Sequence, residues 1–206
     1  MEPTVAEAVA ACRQSHQRLA STVAALDDDT ARRPSRLPNW TVGHVLTHLA
    51  RNADGHRRRL DGALLGREVP RYPGGPPERD SQIEEGAGRT AGELVDDVTT
   101  SARRLDETYA RAQEAGWPHA DLLAADPWPT TQSPLRRLRE VEMHHVDLGL
   151  GYEPADWPDL YLDWELPTVL STLPDRLSDA GASRQLLAWL TGRADSMGDL
   201  RPGPWV

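Results

Sequence analysis

Apolar residues recurring at alternating spacings of three and four confine most of this chain to amphipathic helices. Val5, Val9, Cys12, His16, Leu19, Val23 and Leu26 form one such face, the pattern of a helix that buries one side. Thr4 and Glu7 make a capping box at its start, in which each side chain satisfies a backbone N–H the first turn leaves open. The DDDT run and the Pro34 region end it. A second helix is expected from Asn39 or Thr41 to Gly66, with Val42, Val45, Leu49 and Asn52 inward. Another capping box, Thr90 with Glu93, opens a third helix whose face carries Leu94, Val98, Ser101, Leu105, Thr108 and Ala112. Ser133 as cap and Pro134 at the first position open a fourth, SPLRRLREVEMHHVDLGLG, ending at Gly149 or Gly151.

Four long amphipathic helices without a convincing strand predict an all-α fold, a four-helix bundle over residues 1–152. Residues 67–89 are polar and rich in Pro and Gly, and read as a long connection that is functional or disordered. From 153 to 206 the composition shifts to Trp and Pro, giving a short C-terminal segment with one last helix near Ser183–Thr191. A length of 206 residues suits one domain with at most a small appendage.

The single cysteine excludes an internal disulfide and fits a reducing compartment. No apolar run reaches the length of about 18 residues that spans a bilayer, and the acidic N-terminus lacks the basic region of a signal peptide. A cytoplasmic protein without membrane contact is expected. The net charge of -9 argues against a nucleic-acid partner. All 23 basic residues are Arg, and Phe is absent. That usage points to GC-rich coding, with the consequence that every cationic contact to a carboxylate must be made by Arg.

Six of the 7 histidines fall on these helices. Glu140 and His144 stand four apart on the fourth helix and so share a face. A carboxylate and an imidazole at that spacing, joined by one histidine from a facing helix, make a three-ligand zinc site with an open position. His44 with His48, and Glu142 with His145, are rival combinations that spacing alone does not separate.

Three stretches, LPNWTVGHVLTHLARNADGH, YPGGPPERDSQIEEGAGRTAGELVDDV and RLREVEMHHVDLGLGY, together resemble the mycothiol-dependent maleylpyruvate isomerase family. That family belongs to the DinB-like group of metal-binding four-helix bundles. The resemblance runs from about Leu37 to Tyr152, with LLAWLTGR near the C-terminus similar to the family's final segment. It implies a zinc or other divalent metal on His48, Glu140 and His144, and mycothiol as thiol cosubstrate. It implies a functional C-terminal arginine at Arg193, with the loop arginines Arg71, Arg79 and Arg89 as rivals. His44 then becomes a neighbour of the site, Asp147 a candidate to orient His144, and His145 a packing or surface residue. Cys12 and His16 suggest a nucleophile and base, but their place on the core stripe favours packing.

Fuller family members carry a small α/β domain after the bundle, which here is abbreviated. The activity implied is cis–trans isomerisation of a maleylpyruvate-like unsaturated oxo-acid. A thiol S-transferase and a non-enzymatic metal- or ligand-binding bundle are the alternatives. A small-molecule substrate and a low-molecular-weight thiol are the expected partners, in a monomer or homodimer.

Overall fold

The computed structural model describes residues 2–118, 126–177 and 180–198. It is built from helices α1 (Val5–Val23), α2 (Asp28–Ala31), α3 (Val42–Leu64), α4 (Gly75–Ala87), α5 (Ala91–Glu114), α6 (Ser133–Asp147), α7 (Asp159–Arg176) and α8 (Ala180–Leu190). Among the described residues there is no strand; Pro34 and Thr41 form an isolated bridge. The chain divides into two compact units, 2–158 and 159 onward.

Helices α1, α3, α5 and α6 form the bundle. α1 packs against α5 and α6, and α3 packs against the same two, so α1 and α3 sit diagonally across the core. Leu19 and Val23 of α1, Val45, Leu46 and Leu49 of α3, Leu94 and Val98 of α5 and Val141 of α6 fill the centre. The capping boxes at Thr4 and Thr90 form as the sequence indicates. A third forms at Thr41, where the box residue is His44: its Nδ1 accepts the Thr41 backbone N–H at 3.1 Å.

Ser133 does not cap α6. The N-cap is Gln132, and Pro134 sits in the first turn. The Ser133 hydroxyl is buried instead between His56 Nδ1, at 2.8 Å, and the Tyr109 hydroxyl, at 3.3 Å.

The 67–89 segment also departs from the expectation of a loop, because α4 fills its second half. Pro76 and Pro77 occupy the first turn of α4, where proline's missing N–H costs nothing. α4 lies close on α3: a Cβ on Gly43 would collide with the Ala87 carbonyl oxygen. The bundle unit extends past residue 152 because the Tyr152 hydroxyl bonds the Glu142 carboxylate and Trp157 Nε1 donates to the Glu142 carbonyl at 3.1 Å. The C-terminal unit holds two helices where the sequence suggests one, α7 continuing through Pro167 and Pro174. The stretch 119–125, part of the connection before α6, lies outside the described residues.

Candidate metal centre

Helices α3 and α6 meet antiparallel along a polar seam. His48 faces Glu140, Asn52 faces Arg137, and His56 faces Ser133. On each helix these residues step by three or four, about 6 Å per step along the axis, so each set lies on one face.

At one end of the seam, one donor atom each from His48, Glu140 and His144 lie within 4.8 Å of one another, the only such cluster among the described residues. His48 Nε2 is 2.9 Å from Glu140 Oε2, and His144 Nε2 is 3.7 Å from the same oxygen. The two imidazoles meet edge to face with centroids 4.6 Å apart. Tetrahedral zinc with bonds of about 2.0–2.1 Å separates its ligand atoms by about 3.3 Å, so these spacings already bracket what an ion requires.

Burial opposes ionisation of Glu140, but the His48 hydrogen bond and the charge of both imidazoles hold its carboxyl far below the usual range. Burial pushes the His48 imidazole toward its neutral form, against the pull of Glu140. A divalent cation requires an ionised carboxylate and a neutral imidazole, the states toward which Glu140 and His48 are pushed.

His144 Nδ1 is 2.8 Å from Asp147 Oδ2. That contact fixes the tautomer with its proton on Nδ1 and turns the Nε2 lone pair toward the centre, as an orienting carboxylate does in metal sites. His48 Nδ1 is buried without a partner among the described residues. The indole of Trp40 packs beside His48, with centroids 5.6 Å apart, and stacks on His44 at 6.2 Å.

The rival residues are placed elsewhere. His44 is occupied as a helix cap and reaches toward Glu84 of α4. Glu142 and His145 lie on the α1 side of α6. Fully buried Glu142 accepts from Ser15 at 2.6 Å and Arg18 at 2.7 Å, while His145 Nε2 meets Thr22 at 2.8 Å.

Cys12 is buried, 3.8 Å from His16 Nε2. Burial raises its thiol pKa far above the ordinary value, which leaves it inert as a nucleophile. His16 is held on both sides, by Asp106 at Nδ1 and Arg137 at Nε2.

Among the arginines, Arg71 is bonded to buried Asp126, Arg89 to Asp97 and Arg79 to neighbouring Asp80. Arg193 is exposed, its guanidinium donating to the carbonyl of Thr191. Two residues of the seam escape sequence reasoning. Arg137 stands three before Glu140 and is fully buried, and Tyr72 comes from the segment read as loop. The i, i+3 spacing to Glu140 was the available signal for Arg137; nothing in the sequence marked Tyr72.

The all-α bundle thus gathers a two-histidine, one-carboxylate cluster from facing helices. The chain belongs to the family described as mycothiol maleylpyruvate isomerase N-terminal domain, which matches residues 12–149. Its structure resembles the crystal structure of the mycothiol-dependent maleylpyruvate isomerase, with a TM-score of 0.75 and 26% sequence identity over 81% of this chain and 70% of that one. A histidine-to-alanine mutant of that enzyme matches equally, at TM-score 0.75 and 26% identity. No curated protein matches the sequence significantly. No helix among the described residues is long and apolar enough to cross a membrane.

Proposed function

We propose that this protein is a cytoplasmic, mycothiol-dependent isomerase that converts a maleylpyruvate-like cis-unsaturated oxo-acid to its trans form. In this reading a divalent metal, zinc, is held by His48, Glu140 and His144. The observation that carries the reading is the gathering of those three donors within 4.8 Å in a member of this enzyme family. When bound, zinc lowers the pKa of a thiol or water in its open position and so supplies a nucleophile at neutral pH.

The chain's own residues prepare that position. Glu140 offers an ionised carboxylate, and Asp147 holds His144 with Nε2 toward the centre. Trp40 packs beside His48. A free thiol of pKa about 8.5 is only about 3% thiolate at pH 7, so the arrangement matters for rate. Addition of the thiolate to the activated double bond leaves a single bond that rotates, and its departure returns the thiol and the trans acid. Arg193 is proposed to clamp a substrate carboxylate through its forked donors.

The test pairs metal content with product mass. His48→Ala, Glu140→Ala and His144→Ala should each lose most bound zinc by elemental analysis, while His145→Ala and Cys12→Ser keep it. With mycothiol present, the product should have the substrate's mass. A product heavier by one thiol would make the protein an S-transferase, and full zinc in all three variants would remove the site.

A further inference from the structure

Three buried polar atoms on or beside the α3–α6 seam have no partner among the described residues: Arg137 Nη2, His56 Nε2 and the Tyr72 hydroxyl. Arg137 is the most telling. It is fully buried, and its bonds run to His16 Nε2 at 3.1 Å and to the Leu49 carbonyl and Asn52 Oδ1, both at 2.9 Å. All three acceptors are neutral. An arginine stays protonated in proteins, and a buried charge without a counter-charge is strongly disfavoured. The carboxylates of this region are committed elsewhere, Asp106 to His16 and Glu140 to His48.

The other two orphans belong to the same stretch of the seam. His56 is one turn past Asn52, the residue that holds Arg137, and its Nδ1 is taken by Ser133. Tyr72 lies across α3 at Gly55, where a Cβ would come within 3.6 Å of the phenol Cζ. Arg137 and Glu140 both act electrostatically on His56 and on Tyr72.

We infer that Arg137, Tyr72 and His56 line an inner subsite for one carboxylate group of the ligand, one to two helical turns along the seam from His48, Glu140 and His144. A water molecule would satisfy the orphan atoms but leave the guanidinium with Asp106, reached through the His16 ring, as an indirect counter-charge. A carboxylate satisfies them and compensates directly, because it accepts several hydrogen bonds and carries the opposite charge. The inference rests on reading this seam as a small-molecule site. It narrows the ligand to acids that place a carboxylate about 5–11 Å, one to two helical turns, from the group at the metal position.

The test uses zinc-loaded protein and maleate, titrated by calorimetry with no thiol present. Dimethyl maleate and inorganic phosphate are the comparisons. Maleate should bind and the ester should not. Tyr72→Phe should weaken maleate about tenfold, the effect of one lost charge-assisted bond, with zinc content and thermal midpoint unchanged because the hydroxyl holds nothing in the free protein. Arg137→Gln should weaken it further; if that variant fails to fold, Tyr72→Phe decides.

Undiminished maleate affinity in Tyr72→Phe would place the carboxylate on the metal and overturn the subsite. So would loss of affinity accompanied by a fall in thermal midpoint, or equal binding of the ester. Since neither thiol nor turnover enters, failure of isomerisation beside Tyr72-dependent binding would retire the proposed reaction alone.

Discussion

Asp147 is the cleanest place to ask whether the His48–Glu140–His144 cluster is a metal centre. Its Oδ2 lies 2.8 Å from His144 Nδ1, and both side chains are 20% exposed. In a metal centre this carboxylate has two effects: it fixes the tautomer that leaves Nε2 free, and it raises the basicity of the ring. Loss of such an orienting partner costs about 10- to 100-fold in metal affinity, or about 1.4–2.7 kcal/mol. Partial exposure screens the charge, which places Asp147→Ala near the lower end, about tenfold.

Asp147→Asn should fall between parent and alanine, because the amide oxygen still accepts the Nδ1 proton while the charge is gone. Zinc affinity is measured by competition with a chromophoric chelator. Thr22→Val is the control, since it removes the partner of His145 on the opposite side of α6 and should leave affinity unchanged. If Asp147→Ala binds zinc within about twofold of the parent, His144 is no ligand oriented by Asp147. If Thr22→Val weakens zinc as much, the effect is one of α6 stability rather than of the site.

Other perturbations reach the rest of the molecule. Arg193→Ala should leave zinc content intact and lower turnover of carboxylate substrates about ten- to a hundred-fold, the worth of a charge-assisted bond of about 1.5–3 kcal/mol, with Arg193→Lys rescuing only partly; parental turnover in Arg193→Ala would end that assignment. Gly43→Ala drives a Cβ into the Ala87 carbonyl and should cost about 1–3 kcal/mol by chemical denaturation, whereas Gly92→Ala, with open space beside it, should not. Burial pushes His16 below its ordinary 6.5, against the pull of Asp106. As pH falls through 6.5 the unfolded chain takes up a proton that the folded one refuses, so stability drops. The thermal midpoint should therefore fall from pH 7 to pH 5, and fall less in His16→Gln.

The bundle was legible because its signals are local. Capping boxes at Thr4 and Thr90 and the apolar faces that follow them depend only on neighbours three and four residues apart. The misread parts depend on distant contacts. α4 buries only Ile83 and Ala87, too few to give a periodic stripe, so its prolines and glycines suggested a loop although two prolines stand where helices begin. α7 was hidden by Pro167 and Pro174, which lie inside it against the usual cost of an interior proline. Ser133 had the form of a cap, but its hydroxyl is claimed by His56 and Tyr109 from other helices, and no local pattern announces that.

The metal trio shows where spacing stops being informative. EVEMHH places two acidic residues and two histidines on one helix, and Glu140 with His144 has no better geometry than Glu142 with His145 read one face around. What separates the pairs is the surface each meets. Toward α1 the helix finds Ser15, Arg18 and Thr22, which bond the Glu142 carboxylate and His145 Nε2, while His145 Nδ1 has no partner among the described residues. Toward α3 it finds His48, a further lone-pair donor, and Arg137 is left beneath with an unpaired nitrogen. The α3 side differs in that a carboxylate and two imidazoles converge at one point, with further unpaired polar atoms along the same seam. That pattern is what a cation and an anion bound side by side would complete, and it fits an acid activated next to a metal better than a metal held for stability alone.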